Sequence, residues 1–193
     1  MTDRREQIII EAIKVFAAKG YYNSHIADIV DKVRIAKGTF YLYFSSKKDL
    51  FLELIRLYQQ IFHCEFNLEK YYKKSSDLKG FMEEMLAERF KLHAENRALS
   101  VIILREAVAI DQDFTAEYKK MDQHRFDNLK LLYDFLVEKK YINSKNDFEY
   151  FACIFVGTLD SIIFRKLVMV EEEFNYLKAV DKVSDYLART LAN

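Results

Sequence analysis

The chain contains no proline and no tryptophan, and only four glycines occur among its 193 residues. Strand-rich folds need glycine and proline at frequent turns, so this scarcity argues against a β-sheet fold. The sequence therefore predicts an all-α protein of about nine helices, separated by short polar segments. A chain of this length can form one domain or a small domain joined to a larger one.

Cysteine is scarce, and no long uninterrupted apolar run is present. Cys64 and Cys153 lie far apart among apolar residues, which predicts two buried free thiols in a reducing cytoplasm, with a disulfide as the alternative. The N-terminal residues lack the apolar core of a signal peptide, and polar side chains interrupt the apolar stretch 151–164. We therefore expect a cytoplasmic protein without a membrane span.

Sequence motifs for catalysis are also missing. The chain has no phosphate-binding loop, no nucleophile elbow and no cysteine and histidine paired at a useful spacing. His63, His93 and His124 fall singly on three different predicted helices and predict no metal site. We expect neither an enzyme nor a bound cofactor.

Charge is balanced over the whole chain but unevenly distributed along it. The 30 basic residues equal the 30 acidic residues in number. Residues 1–50, however, carry nine Lys and Arg against six Asp and Glu, a net charge of +3 that leaves −3 for the remainder. A mildly basic N-terminal segment favours contact with a nucleic-acid phosphate backbone.

The segment 26–44 has the pattern of a helix-turn-helix. Ile26, Ile29, Val30 and Val33 recur at spacings of three and four, and so fall on one helical face. A short segment of small, polar and aromatic residues follows, suited to entering a DNA major groove. DNA recognition is therefore the leading functional hypothesis.

Capping signals predict where several helices begin and end. A first helix is expected over residues 3–19, with Gly20 able to take a left-handed conformation after it. A last amphipathic helix is expected after residue 175. We expect Ser24 to be the N-cap of the second helix, and Ser45 or Ser46 to be the N-cap of a long fourth helix. Ser144 is the expected N-cap of a helix that ends near residue 168.

An ordered set of residues runs through the first fifty positions: Ala12-x3-Phe16-x3-Gly20-Tyr21, then Ile29, then Lys37-Gly38-Thr39-Phe40-Tyr41-x-Tyr43-Phe44-x2-Lys47-x2-Leu50. This order resembles the N-terminal pattern of the TetR family of bacterial transcriptional regulators. The resemblance implies an all-helical homodimer of two-domain subunits, with a three-helix DNA-binding domain over residues 1–48 and a ligand-binding and dimerisation domain over 49–193. It also implies a regulator, usually a repressor released by a small molecule.

Two residues depart from the family pattern. Arg34 stands where a turn glycine is usual, and Ala36 stands where a serine or threonine usually caps the recognition helix. A left-handed non-glycine residue costs roughly 1–2 kcal/mol and a missing cap about 1 kcal/mol, so a protein of ordinary stability tolerates both.

The candidate DNA contacts lie on and around the second helix of this motif. Lys37 and Thr39 are placed to reach base edges, and Gly38 allows a close approach of the backbone. Tyr41 and Tyr43 match an aromatic pair of the family, and their hydroxyls suit phosphate. Lys47 matches a phosphate-contacting lysine of the family, with an ordinary solvated lysine as the alternative. The predicted set is His25, Arg34, Lys37, Gly38, Thr39, Tyr41, Tyr43 and Lys47.

A single such motif makes too few contacts for tight specific binding, so we expect a dimer on a palindromic double-stranded operator. The last two helices are the favoured dimer contact, because one of them has more apolar surface than one side of a core needs. A core helix packed on all sides is the alternative. The predicted interface residues are Phe151, Gly157, Ile162 and Leu187.

The C-terminal part is rich in aromatic residues and methionine, which mostly form cores but together suit a long apolar ligand. Residues 99–106 and 157–160 resemble, less specifically, the branch of the family that senses fatty acyl-CoA; Arg89 or Arg105 would then meet the anionic head. Structural ion pairs are the favoured interpretation of Arg105, Glu106 and Asp160. Carboxylates facing an open aromatic pocket would instead favour a hydrophobic cation. The predicted ligand-binding residues are Phe62, Phe66, Met85, Arg89, Arg105, Phe126, Tyr133 and Phe155.

The alternative function is a soluble helical lipid-binding or partner-binding protein without DNA activity. Salt separates the two hypotheses, because phosphate-driven binding weakens steeply as ionic strength rises, whereas apolar ligand binding does not.

Overall fold

The computed structural model describes residues 3–62, 66–106, 112–143, 145, 147–170 and 174–191. Within these ranges the chain forms ten α-helices, one π-helical segment and no β-strand, which confirms the all-α fold class. The helices are α1 (Arg4–Lys19), α2 (Ile26–Val33), α3 (Lys37–Tyr41), α4 (Lys47–Phe62), α5 (Leu68–Lys74), α6 (Leu78–Glu95), α7 (Arg97–Glu106), α8 (Gln112–Glu138), α9 (Phe148–Ile163) and α10 (Tyr176–Leu191). The π-helical segment, Phe164–Met169, directly follows α9.

The described residues hold ten α-helices rather than about nine because the long helix expected from residue 46 onward is divided. Helix α4 ends at Phe62, and α5 begins at Leu68. Asn67 caps the new helix, since its side-chain oxygen accepts a hydrogen bond from the Lys70 backbone N–H at 3.1 Å. Helix α5 is therefore a separate helix with a side-chain cap of its own.

The predicted caps are correct in part. Helix α1 begins one residue after Asp3, and Gly20 follows it with a φ of +78°. Ser46 caps α4, because its hydroxyl oxygen accepts from the Asp49 N–H at 3.0 Å. Ser24 does not cap α2: its buried hydroxyl donates to the Tyr21 carbonyl at 2.7 Å instead. Ser144 lies outside the described residues.

The chain divides into two compact units. The first comprises Met1–Ile61 and Asn96–Lys120 and contains α1, α2 and α3, most of α4, all of α7 and the start of α8. In this unit α1 packs against α2 and α7, and α2 packs against α3. The rings of Phe16, Tyr21, Phe51 and Phe114 form its aromatic core, with centroids 4.8–5.8 Å apart. The domain boundaries at residues 1–48 and 49–193 stay a prediction.

The second unit comprises Phe62–Glu95 and Met121–Asn193. Helix α6 packs against both α5 and α10. The centre of this unit is apolar: Phe81, Met85, Phe90, Leu132 and Leu187 have no solvent exposure. Burial of this kind is the main favourable contribution to folding and holds the amphipathic helices together.

The cysteine prediction is wrong for one of the two residues. Cys153 is a free thiol but is exposed, because it lies on the side of α9 opposite the buried Phe151 and Phe155. Cys64 lies outside the described residues. Among the helices of the described ranges, none combines the length and the apolarity that crossing a membrane requires.

Candidate nucleic-acid interface

Helices α2 and α3 form a helix-turn-helix in the first unit. Arg34 ends α2 in the left-handed conformation, with φ 57° and ψ 53°. The chain then turns sharply, and the Ile35 N–H donates to the Val30 carbonyl at 3.0 Å. Helix α3 starts directly after Ala36, which provides no side-chain cap. Both departures from the usual family pattern are therefore accommodated without loss of the turn.

Apolar side chains anchor the inner face of this motif. Ile29 and Val30 of α2 are buried, as are Phe40 of α3 and Phe44 just after it. The guanidinium carbon of Arg5 lies 5.3 Å from the centre of the Phe44 ring, a cation–π contact from α1. Because its inner face is fixed in this way, α3 presents its remaining side chains outward.

The outer face carries most of the predicted DNA contacts. Lys37, Gly38, Tyr41 and Tyr43 are exposed, and Thr39 is half-buried. All five belong to α3 or to the two residues after it, so the structure brings them together on one short helical surface. His25 and Arg34 are also exposed, at the two ends of α2.

A charged network fixes the start of α2. His25 occupies the N-cap position, and its backbone N–H donates to Asp28 Oδ2 at 2.7 Å. Lys19 at the end of α1 donates to Asp28 Oδ1 at 2.6 Å. The Lys19 ammonium and the His25 N–H together hold the pKa of the Asp28 carboxyl below its usual value. The Asp28 carboxylate thus lies in the first turn of α2, where the positive end of the helix dipole stabilises a negative charge.

Lys47, at the first position of α4, points inward. Its ammonium donates to the carbonyl oxygens of Tyr21 at 2.7 Å and Ser24 at 2.8 Å, and it lies 4.3 Å from the centre of the Tyr21 ring. Burial lowers the pKa of Lys47, and the Asp28 carboxylate partly opposes that change. Lys47 is therefore not an ordinary solvated lysine, because it ties α4 to the connection between α1 and α2.

Arg105 and Glu106, near the end of α7, hold the end of α1. Arg105 Nη2 donates to the carbonyls of Phe16 at 3.1 Å and Ala17 at 3.4 Å, and Arg105 Nε donates to Glu106 Oε1 at 2.7 Å. The expected ion pair between Arg105 and Glu106 is present. Cations suit the carbonyl-rich end of a helix, so Arg105 both caps α1 and joins it to α7.

The predicted ligand-binding residues belong to both units, and their role stays a prediction. Arg105 belongs to the first unit, and the other seven belong to the second. In one cluster, Arg89 Nη1 donates to the Phe62 carbonyl at 2.7 Å, and the Arg89 guanidinium lies 4.4 Å from the centre of the Phe66 ring. Met85 is fully buried.

A second cluster joins α8 to α9. Phe126 and Tyr133 both contact the Phe148 ring, and Tyr133 also contacts Phe151, which stacks on Phe155. At the edge of α9, Asp160 accepts from Arg125 at 2.8 Å, the ion pair expected for this carboxylate. Among the described residues, no group of three or more His, Cys, Asp or Glu side chains is placed to hold a metal ion.

The predicted dimer residues differ in exposure. Phe151 and Leu187 are buried within the chain itself, Ile162 is half-buried and Gly157 is exposed. A continuous outer stripe of α9 is formed instead by residues spaced three and four apart. Its members are Tyr150, Cys153, Ile154, Gly157 and Ser161 of α9 and Phe164 at the start of the π-helical segment, all exposed.

Sequence reasoning missed one residue on the outer face of the helix-turn-helix. Leu42 follows α3 directly and is 81% exposed. Its signal in the sequence is its position four residues after Gly38, which places both on the same side of a helix. Leu42 is apolar, whereas the predicted DNA contacts are polar, small or aromatic residues.

Comparison with known sequences gives a family match over the N-terminal part. Residues 8–54 match the profile described as bacterial regulatory proteins, tetR family. The chain is 44% identical over 55 residues to YuxN of Bacillus subtilis, an uncharacterized HTH-type transcriptional regulator, and the match covers 28% of this chain and 19% of YuxN. It is 28% identical over 96 residues to the fatty acid metabolism regulator protein of Bacillus subtilis, covering 50% of this chain and 48% of that protein. The matches thus span less than half the length of these curated relatives.

Comparison with solved structures covers nearly the whole chain. The transcriptional regulator FadR from Bacillus subtilis, in complex with stearoyl-CoA, has a TM-score of 0.79 at 21% identity, covering 94% of this chain and 96% of that one. The fatty acid degradation regulator FadR from Bacillus halodurans has a TM-score of 0.78 at 22% identity, with coverage of 97% and 96%. At these identities the likeness establishes a shared fold.

The Lys47 contacts predict a loss of stability when the ammonium is removed. Lys47→Met keeps an unbranched side chain of similar length but removes the charged donor from the carbonyl groups of Tyr21 and Ser24. We expect the free energy of unfolding to fall by about 1–3 kcal/mol. Thermal and urea unfolding followed by circular dichroism measure the change.

Lys37→Met is the matched control, because it removes the same charge from an exposed position on α3. This variant should unfold like the wild type. A Lys47→Met protein as stable as the wild type would show that the two hydrogen bonds do not hold the connection between α1 and α2.

Proposed function

Since this chain belongs to the TetR family of bacterial regulatory proteins, we propose that it is a DNA-binding repressor released from its operator by a small hydrophobic ligand. One observation carries the DNA-binding part of this proposal: the exposed outer face of α3. The exposed residues of this face are Lys37, Gly38, Tyr41 and Tyr43. The buried Phe40 holds α3 against the core on the opposite side. A short helix anchored on one side, with exposed hydrogen-bonding side chains on the other, suits the major groove.

The residues of this surface have distinct roles. Lys37 donates to guanine acceptors, and the Thr39 methyl packs on thymine. Gly38 lets the backbone come close to the duplex, and the hydroxyls of Tyr41 and Tyr43 donate to phosphate oxygens. His25 and Arg34 extend phosphate contact to both ends of α2. Lys47 gives two of its three ammonium hydrogens to the connection before α2, and a phosphate oxygen accepts the third.

DNA binding is tested with duplexes selected from a random-sequence pool by the full-length protein. The affinity should fall steeply as salt rises, because counterions are released from neutralised phosphates. Tyr43→Phe keeps the ring and removes only the hydroxyl, so we expect affinity to drop about tenfold, with no change in the unfolding temperature. Tyr186→Phe is the matched control, an exposed tyrosine on α10.

If no duplex is retained even at low salt, the DNA-binding proposal is wrong. The lipid-binding or partner-binding function then becomes the better explanation of the aromatic second unit.

The outer stripe of α9 is the dimer contact that we propose. Ile154 is 47% exposed at its centre, and Gly157 adds a position where a second helix can approach closely. Phe151 and Leu187 are buried in their own chain, so in this proposal they support the helices of the interface and do not contact the partner. Two identical stripes meeting across a two-fold axis would match a palindromic operator.

Ile154→Asp tests the dimer. A charge at the centre of an apolar contact should shift the mass measured by analytical ultracentrifugation from dimer to monomer and weaken operator binding with it. Leu131→Asp makes a comparable change at an exposed position of α8 and should leave the dimer intact. An unchanged dimer in the Ile154→Asp protein would place the contact elsewhere.

The effector that we propose is a fatty acyl-CoA. Two features support this class: the similarity to proteins named fatty acid regulators, and aromatic clusters in the second unit beside Arg89, a cation suited to an anionic head group. A hydrophobic cation is less favoured, because Asp160 and Glu106 already pair with Arg125 and Arg105. Release requires that the ligand bind more tightly to the DNA-free state than to the DNA-bound state.

Native mass spectrometry of the protein with its selected duplex tests the effector. Addition of stearoyl-CoA should give an acyl-CoA adduct and free DNA, while coenzyme A alone should give neither. If rhodamine 6G, a hydrophobic cation, displaces the DNA and stearoyl-CoA does not, the acyl-CoA assignment is wrong. If saturating stearoyl-CoA binds without changing DNA affinity, the coupling between ligand and operator is wrong.

A further inference from the structure

Leu42 is the most exposed large apolar side chain in the part of the chain that the structure describes, at 81%. Single exposed leucines are common on protein surfaces and need no special explanation. Leu42 differs from them in its surroundings, because it lies among the polar side chains of the proposed DNA-binding face, beside Tyr41 and Tyr43.

Backbone geometry shows which way Leu42 projects. Its φ of −71° and ψ of −22° continue the helical path of α3, so successive side chains are still rotated by about 100°. Phe40, two residues earlier, points into the core with no solvent exposure. A rotation of about 200° then directs Leu42 away from the core.

Gly38 lies on the same side of α3, two residues before Phe40. A Cβ added to Gly38 would meet no atom within 4 Å, so the space outside this glycine is open. Leu42 lies one turn farther along, about 6 Å away in the axial direction. The outermost surface of α3 therefore consists of a bare backbone at Gly38 and one apolar side chain at Leu42, with hydrogen-bonding residues on either flank.

The chemistry of the major groove identifies what such a side chain can contact. Base edges there present hydrogen-bond donors and acceptors, and the 5-methyl group of thymine is the apolar exception. A leucine facing any other edge would remove polar groups from water without replacing their hydrogen bonds. We propose that Leu42 packs against the 5-methyl group of one thymine in each half-site and so determines sequence specificity. The proposal rests on the DNA-binding function argued above.

The test removes the thymine methyl group from the DNA as well as the Leu42 side chain from the protein. Full-length protein selects duplexes from a random pool, and each thymine of the best duplex is replaced, one symmetric pair at a time, by deoxyuridine. At the pair that Leu42 contacts we expect wild-type affinity to fall about fourfold per half-site. The Leu42→Ala protein should bind that deoxyuridine duplex and the thymine duplex equally well. A pair contacted by Thr39 would also respond, but its response would persist in the Leu42→Ala protein.

Two variants control the measurement. Leu42→Met keeps an apolar side chain and should retain sensitivity to deoxyuridine, whereas Leu131→Ala, at another exposed leucine, should bind like the wild type. Leu42→Ala should unfold at the wild-type temperature, because the side chain contributes little to the core.

The inference is wrong if wild-type affinity is unaffected by deoxyuridine at every position, or if Leu42→Ala keeps the wild-type sensitivity at every pair that responds. If selection by the wild type enriches no duplex at all, the proposed function itself fails, and the inference fails with it.

Discussion

Two cations from different helices hold the end of α1 and the connection from α1 to α2. Lys47 donates to Tyr21 and Ser24 from the start of α4, and Arg105 donates to Phe16 and Ala17 from the end of α7. Hydrogen bonds from charged donors are stronger than those between neutral groups, so these contacts restrain the geometry of the connection. The position of α2, and hence of α3 beyond the Arg34 turn, depends on this restriction.

This arrangement divides the basic residues of the first unit between two tasks. Lys19 and Lys47 bind groups of their own chain: Lys19 pairs with Asp28 at the start of α2, and Lys47 donates to the connection before it. Lys37 and Arg34 remain exposed. The net charge of the N-terminal segment therefore does not show which of its cations remain exposed and which are bound within the chain. Helix α7 belongs to the same unit as the helix-turn-helix, although α5 and α6 precede it in the chain, and Arg105 joins α7 to α1.

The helix-turn-helix could be predicted from sequence because its determinants are local: the apolar spacing in α2 and the small, polar and aromatic residues of the segment that follows it. The fold class followed equally directly from the scarcity of turn residues. What could not be predicted depends on tertiary contacts. The inward direction of Lys47 depends on carbonyl groups about twenty-five residues earlier. The burial of Phe151 and Leu187 within one chain depends on how neighbouring helices pack, which apolar periodicity does not reveal.

Hydrogen–deuterium exchange of the full-length protein, with and without its selected duplex, tests the central claim most directly. If the outer face of the helix-turn-helix binds DNA, amides of residues 26–44 become protected when the duplex is added, and those of α5 and α6 do not. Protection confined to the second unit, with residues 26–44 unchanged, would contradict the account.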